Sequence, residues 1–204
     1  MPRALWTAPS AVGVQPEQIA TRSRGLPFLG SVTLPAAAAS LTLVIPMVDV
    51  LLIQGFVTST SIDGPVRLAV GFDGVLHTGA DYNSRNMLSP PATATASFYS
   101  DIKTAQASWL MEYSRTGDAL GHDDLGGLTH RSFFCLIENQ AEAAQKLAKW
   151  TTVTATASAA VAPKIKDGHG HLFAGLGKQI NVVQMLVGAG TLGADTTFGV
   201  FGTR

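Results

Sequence analysis

What most limits the folds open to this chain is a succession of short apolar runs broken by Gly, Pro, Asp and Asn. The clearest run is residues 66–72, where Val66, Leu68, Val70 and Phe72 alternate with Arg67, Ala69 and Gly71 before an Asp73-Gly74 dipeptide. Side chains on a strand point alternately to its two faces, so this spacing puts one apolar row into a core. From Phe28 onward the same rhythm recurs, and strands are predicted near 28–34, 40–45, 48–58, 65–72, 93–99, 106–114, 129–137, 150–159, 171–175, 178–187 and 196–202. Many short strands with turn residues between them indicate a sandwich or a barrel.

Two segments depart from that rhythm. Residues 1–26 carry prolines at 2, 9 and 16, with Pro27 next, and have no sustained period, which predicts an extended N-terminal arm ahead of a β-domain over 27–204. The stretch ENQAEAAQKLAKW, residues 138–150, is made of strong helix formers with Glu142 and Lys146 four apart, and a single short helix is expected there. In WTTVTATAS, Thr152, Thr154 and Thr156 share one face with Val153, Ala155 and Ala157 on the other, and the threonine face is assigned to a wet or intersubunit surface. Residues 73–92 and 115–128 read as long loops, which in compact domains usually serve a contact or a site.

Composition narrows the partners. Lys plus Arg equals Asp plus Glu at 14 each, so no long-range field draws in nucleic acid or an anionic membrane. The most apolar region, residues 40–56, is interrupted by Pro46, Asp49 and Gln54 and is too broken for a membrane span. With charged residues at only 14%, much of the surface is expected to lie against neighbours. The lone Cys135, set among large apolar residues, reads as a buried inert thiol. The N-terminus has no uninterrupted apolar stretch of leader length, so synthesis in the cytoplasm without secretion is expected.

Candidate chemistry falls in four places. His169 and His171, two apart, would share a strand face as metal ligands do, but no Glu follows them, and a third ligand would have to come from His122, Asp123, Asp124 or His130. A Gly-rich turn is the plainer reading of DGHGHL. No Gly-x-Ser-x-Gly elbow occurs. Carboxylates for glycoside cleavage could come from Asp118, Asp123 and Asp124 or from Glu112 and Glu138, yet for the acids of GHDD a solvated turn or a surface cation site is the better explanation. GAGTLGADTTFG lacks the Lys-Ser/Thr ending of a phosphate loop. Finally, Trp109, Tyr113, Tyr82, Tyr99 and Trp150 could form a stacking platform for sugars, or could simply be core.

The block LAVGFDGVLHTGADYNSRNML resembles a pattern of tailed-phage virion proteins: an alternating strand, an Asn/Asp-Gly turn, then Gly-x-x-Tyr-Asn. The early pair SVTLPAAAASLTLVIP and VDVLLIQGFVTSTS, and the ending INVVQMLVGAGTLGADTTFGVFGTR, extend the resemblance to both ends of the domain, while residues 93–176 match only in strand rhythm. Asp73 stands where that pattern usually has Asn, and Val200-Phe201-Gly202 where it has Leu-Tyr-Gly.

The resemblance implies a jelly-roll-like antiparallel β-sandwich serving as a non-enzymatic virion part, such as a head decoration, minor capsid, tail or fibre component. It implies partners in further copies of itself and in other virion proteins such as the major capsid protein, with neither nucleic acid nor membrane, and location in the virion. No catalytic, cofactor or metal residue is expected, and no cofactor. The alternatives are a carbohydrate-binding module for host recognition, resting on the aromatics, and a cupin-like metal enzyme, resting on His169 and His171. In the leading reading Asp73-Gly74 turns a hairpin and Tyr82-Asn83 pins the following loop.

Overall fold

The structure is a computed structural model, and residues 26–58, 65–88, 99–111, 130–142, 145–155, 164–188 and 190–203 are described here. Among them are strands β1 (Phe28–Thr33), β2 (Ser40–Val44), β3 (Val50–Thr58), β4 (Val66–Phe72), β5 (Val75–Leu76), β6 (Tyr82–Leu88) and β7 (Tyr99–Gln106). They are followed by β8 (Trp109–Leu110), β9 (His130–Glu138), β10 (Lys146–Ala155), β11 (Lys164–Leu172), β12 (Ile180–Val187) and β13 (Thr197–Thr203). The expected N-terminal arm lies outside the described residues, apart from Leu26 at its end.

The strands form two antiparallel sheets packed together, so the fold is the all-β antiparallel sandwich expected from the sequence. The large sheet has eight strands in the order β1-β13-β3-β9-β10-β11-β6-β7, and the small one runs β2-β12-β4-β5, with β8 also paired to β4. Successive strands at the start alternate between sheets, and the ends of the chain nest: β1 and β3 flank β13, while β2 and β4 flank β12. That nesting is jelly-roll winding. The hairpin β6–β7 and the pair β10–β11 then widen one side of the large sheet.

The core is the seam between the sheets. Leu51, Ile53, Phe133, Cys135, Ile137, Trp150, Phe198 and Val200 face it from the large sheet; Leu41, Val66, Leu68, Val70, Val183 and Met185 face it from the small one. Cross-strand neighbours such as Val70 with Val183 and Leu68 with Met185 sit directly opposite in register, so each row of the small sheet fills one layer of the seam.

Several expectations need correcting. Among the described residues of 138–150 no helix forms: β9 continues to Glu138, a turn follows at 141–142, and β10 begins at Lys146. Burial from Lys146 to Trp150 alternates with period two, because Ala148 and Trp150 must enter the seam, and that demand outweighs helix propensity worth only tenths of a kcal/mol per residue. The threonine face is inverted. Thr152 and Thr154 are buried, with the Thr152 hydroxyl donating to the Met111 carbonyl at 3.0 Å, whereas Val153 faces outward; Thr156 lies outside the described residues.

The 73–92 loop contains β5 and the whole of strand β6, and DGHGHL is not a turn but the end of β11. The run placed at 171–175 therefore belongs to a strand that starts at Lys164. Of the run placed at 106–114, the described residues up to 111 hold the end of β7 and the two-residue β8, and residues 112–114 lie outside the described set. Residues 93–98 and the 115–128 loop lie outside the described set.

The Asp73-Gly74 turn does close a hairpin, pairing Phe72 with Val75. Both turn residues have positive φ, 54° and 79°, the geometry that matches hairpin twist and that Asp-Gly supplies cheaply. Tyr82 pins more than a loop. β4 is paired by β5 at residues 71–72 and by β8 at 67–68, and although the Val70 carbonyl accepts from the His77 N–H at 2.9 Å, the Val70 N–H is left at a gap between two short partners. The buried Tyr82 hydroxyl fills that gap, accepting from the Val70 N–H and donating to the Val70 carbonyl, both at 3.0 Å.

Burial pushes the Tyr82 phenol up to about 12, so it stays a donor throughout the ordinary pH range. Tyr82→Phe is expected to destabilise the protein by about 1–3 kcal/mol, because a buried N–H loses its partner. Urea melts with an unchanged m-value would show this, and a neutral result would remove the gap-filling role.

Candidate functional surface

The sequence-derived candidates fall into three places. Trp109, Trp150 and Tyr82 are in the seam with no exposed area, so these three cannot stack a sugar; Tyr113 and the side chain of Tyr99 lie outside the description. The indoles are held by polar partners from the opposite sheet or strand. Trp150 Nε1 donates to Asn86 Oδ1 at 3.0 Å, Asn86 Nδ2 donates to the Leu110 carbonyl at 3.0 Å, and Trp109 Nε1 donates to the His171 carbonyl at 3.2 Å. Short β8 is thereby clamped between the sheets, a structural duty that leaves these rings nothing to offer a ligand.

His169 and His171 do point to one face of β11, the solvent side of the large sheet. His171 stacks on Phe173 with centroids 5.4 Å apart. Among the described residues no group of three or more His, Cys, Asp or Glu side chains is placed to hold a metal ion. His122, Asp123, Asp124, Asp118 and Glu112 are outside the described residues, as is the side chain of His130. Glu138 ends β9 on the exposed face. Cys135 is wholly buried and free, and desolvation drives its thiol well above the ordinary range, which leaves no thiolate at neutral pH.

Sequence reasoning did not single out His77, whose Nε2 lies 2.8 Å from Asp81 Oδ2. Its ring packs against Phe72 and Tyr82, with centroids 6.3 and 5.7 Å away, so the pair fastens the 77–81 loop over the core. Similarly Lys178 meets Asp73 at 2.7 Å and Asn181 Oδ1 accepts from the Gly74 N–H, tying the hairpin turn to the start of β12 and the residues just before it. Asn83 accepts from the N–H of Ala105, whose φ of 53° marks a bulge in edge strand β7.

What the sequence did not foretell is the outer face of the large sheet. Alternation in β9 buries Phe133, Cys135 and Ile137, and by the same period turns Phe134 and Leu136 outward, 44% and 41% exposed. Their neighbours Leu147 on β10, Ile165 on β11 and Met87 on β6 are 44%, 47% and 44% exposed, with Phe56 on β3 and Ile102 on β7 at the flanks.

Register arranges these side chains in lines across the strands. One line reads Leu52, Leu136, Lys149, His169, Arg85 and Ile102; the next reads Gln54, Phe134, Thr151, Asp167 and Met87. Flanking lines carry Glu138 with Leu147 and His171 on one side, and Phe56 with Ser132, Val153 and Ile165 on the other. A face that exposes large apolar side chains among both signs of charge is chemically suited to protein contact. The period-two pattern in SFFCLIE carried the signal, because a strand of unbroken large apolar residues must present half of them to its outer side. Comparison with protein-family models, with curated proteins and with solved structures finds no match to this chain.

Proposed function

We propose that the protein is a non-enzymatic structural component of a bacteriophage virion, a capsid-associated decoration or minor capsid protein that works through subunit contacts. The single observation that carries the contact role is the outer face of the large sheet, where Phe134, Leu136, Leu147 and Ile165 stand in solvent beside Lys149 and Asp167. The virion assignment draws on the resemblance of residues 68–88 and of the terminal strands to tailed-phage virion proteins. Support also comes from the part those residues play: Asp73-Gly74 and Tyr82 close the sandwich, and Asn83 shapes its edge, so the resembling block serves the fold.

The test is to purify native particles bearing this chain, quantify it by mass spectrometry, and locate it by electron microscopy. Stoichiometric copies seated on the capsid or tail, with density for the sandwich, are the expected result. Absence of the chain from infectious particles rejects the reading.

A further inference from the structure

We infer that the outer face of the large sheet is a self-complementary interface at which two copies of this chain pack face to face about a two-fold axis running across the strands. The inference rests on the reading of this face as a contact surface and names its partner: a second copy.

Size is the first argument. Six adjacent strands, in the order β3-β9-β10-β11-β6-β7, at ~4.8 Å each, and about eight residues at ~3.4 Å along each, give a footprint of ~800 Å². A standard interface takes about 800 Å² from each partner, so this face alone is sufficient. Sheets also stack face to face at ~10 Å with strands nearly aligned.

Charge then selects the axis. Lys149, His169 and Arg85 are register partners, so they form one line of basic groups across β10, β11 and β6. A two-fold parallel to the strands and centred on β11, the middle of that line, would lay it on its own copy, setting like charges opposite. A two-fold perpendicular to the strands, passing over the inward-facing row Cys135, Trp150, Gly168, Asn86, exchanges that line with the next one. His169 then faces Asp167 of the second copy, Lys149 faces Thr151, and Leu136 faces Phe134. One step further out, Leu147 faces Val153 and Glu138 faces Ser132. Apolar meets apolar on β9 and at the ends of β10, and no line of charge meets itself. Each strand crosses its own copy in the antiparallel sense, and every contact occurs twice.

The geometry makes a reciprocal test possible. Full-length wild-type protein is expected to run as a dimer in size-exclusion chromatography with light scattering. Phe134→Glu and Leu136→Lys are each expected to raise the dimer dissociation constant ~100-fold or more, since a central apolar contact is lost at two places per dimer. Circular dichroism keeps the fold in view, and both positions are outward-facing.

Mixed one to one, the two variants are expected to dimerise again. The ammonium introduced by Leu136→Lys in one copy meets the carboxylate introduced by Phe134→Glu in the other, while the second reciprocal contact keeps its native Phe134 and Leu136. A monomeric wild type up to millimolar concentration overturns the interface, as does a dimer untouched by either variant. Failure of the mixture to pair overturns the two-fold and its register. A solution dimer absent from particles would leave the interface standing and sink the virion reading, whereas particles containing an obligate monomer would do the reverse.

Discussion

Gly168→Ala is expected to destabilise the protein by about 3 kcal/mol and to lower its melting temperature by roughly 6–12 °C. In an ordinary strand the same change is favourable by ~0.5–1 kcal/mol, because alanine restricts the unfolded chain. The sign reverses here because Trp150 lies flat against the β11 backbone. A methyl group at residue 168 would sit 2.2 Å from Trp150 Nε1 and 2.5 Å from Asn86 Oδ1, in a region where ring and amide are both buried and bonded to each other. Trp150 cannot swing away without breaking that bond, nor Asn86 without also breaking the one it donates to the Leu110 carbonyl.

Gly30→Ala is the control: its methyl group would meet nothing nearer than Leu43 at 3.6 Å, so the ordinary gain of up to ~0.5–1 kcal/mol is expected there. If the clash is the cause, Gly168→Ala in a Trp150→Leu background should cost at least ~1 kcal/mol less than in the wild type. Additive losses in chemical denaturation would refute the account.

That pairing also explains what could and could not be read from the sequence. The chain's sandwich class was legible because Val66 to Phe72, Val50 to Thr58 and Thr197 to Thr203 each carry their own period or turn signal, and the Asp73-Gly74 hairpin follows from local φ preferences alone. DGHGHL reads as a turn in isolation because its glycines look like turn residues. They sit at every second position, on the inner face of β11, where Gly168 makes room for Trp150 and Gly170 for Trp109. Two indoles elsewhere in the chain need bare backbone to lie on, and that is a tertiary requirement no local window contains.

The inverted threonine face has a related cause. Thr152 is buried because β8 brings the Met111 carbonyl to it, and β8 is only two residues long, too short for a periodic signature. The same reasoning covers 138–150, where local propensity favoured a helix and the seam demanded Trp150 and Ala148 on one side. Of the contact surface, the two-faced apolarity of SFFCLIE was visible, but the alignment of Leu136 with Lys149, His169 and Arg85 depends on several strand registers, which only the assembled sheet fixes.

Asn139, in sequence a single polar residue after an apolar strand, is expected to be among the most sensitive positions in the chain. It is fully buried where β9 leaves the large sheet, and it joins both layers. Its Nδ2 donates to the carbonyls of Val48 at 2.6 Å and Ile180 at 3.1 Å, and its Oδ1 accepts from the Ile180 N–H at 2.6 Å. Its own N–H donates to the Asp49 carbonyl. The side chain thus substitutes for ladder partners where β3 and β12 begin.

Asn139→Ala would leave three buried backbone groups without partners, for an expected loss of about 3–5 kcal/mol. Asn139→Asp separates shape from chemistry, since it keeps the size but turns the donor toward the carbonyls into an acceptor. An aspartate there must be protonated to bond either carbonyl, so burial and the two facing oxygens raise its folded pKa above the unfolded value of about 3.9. Its native state then holds a proton that the unfolded chain has released, and stability falls as pH rises from about 4 up through the folded pKa. The variant's deficit relative to wild type should therefore be smaller at pH 5 than at pH 8 in paired denaturation curves. A deficit that stays constant between those two pH values would mean that residue 139 fills space and nothing more.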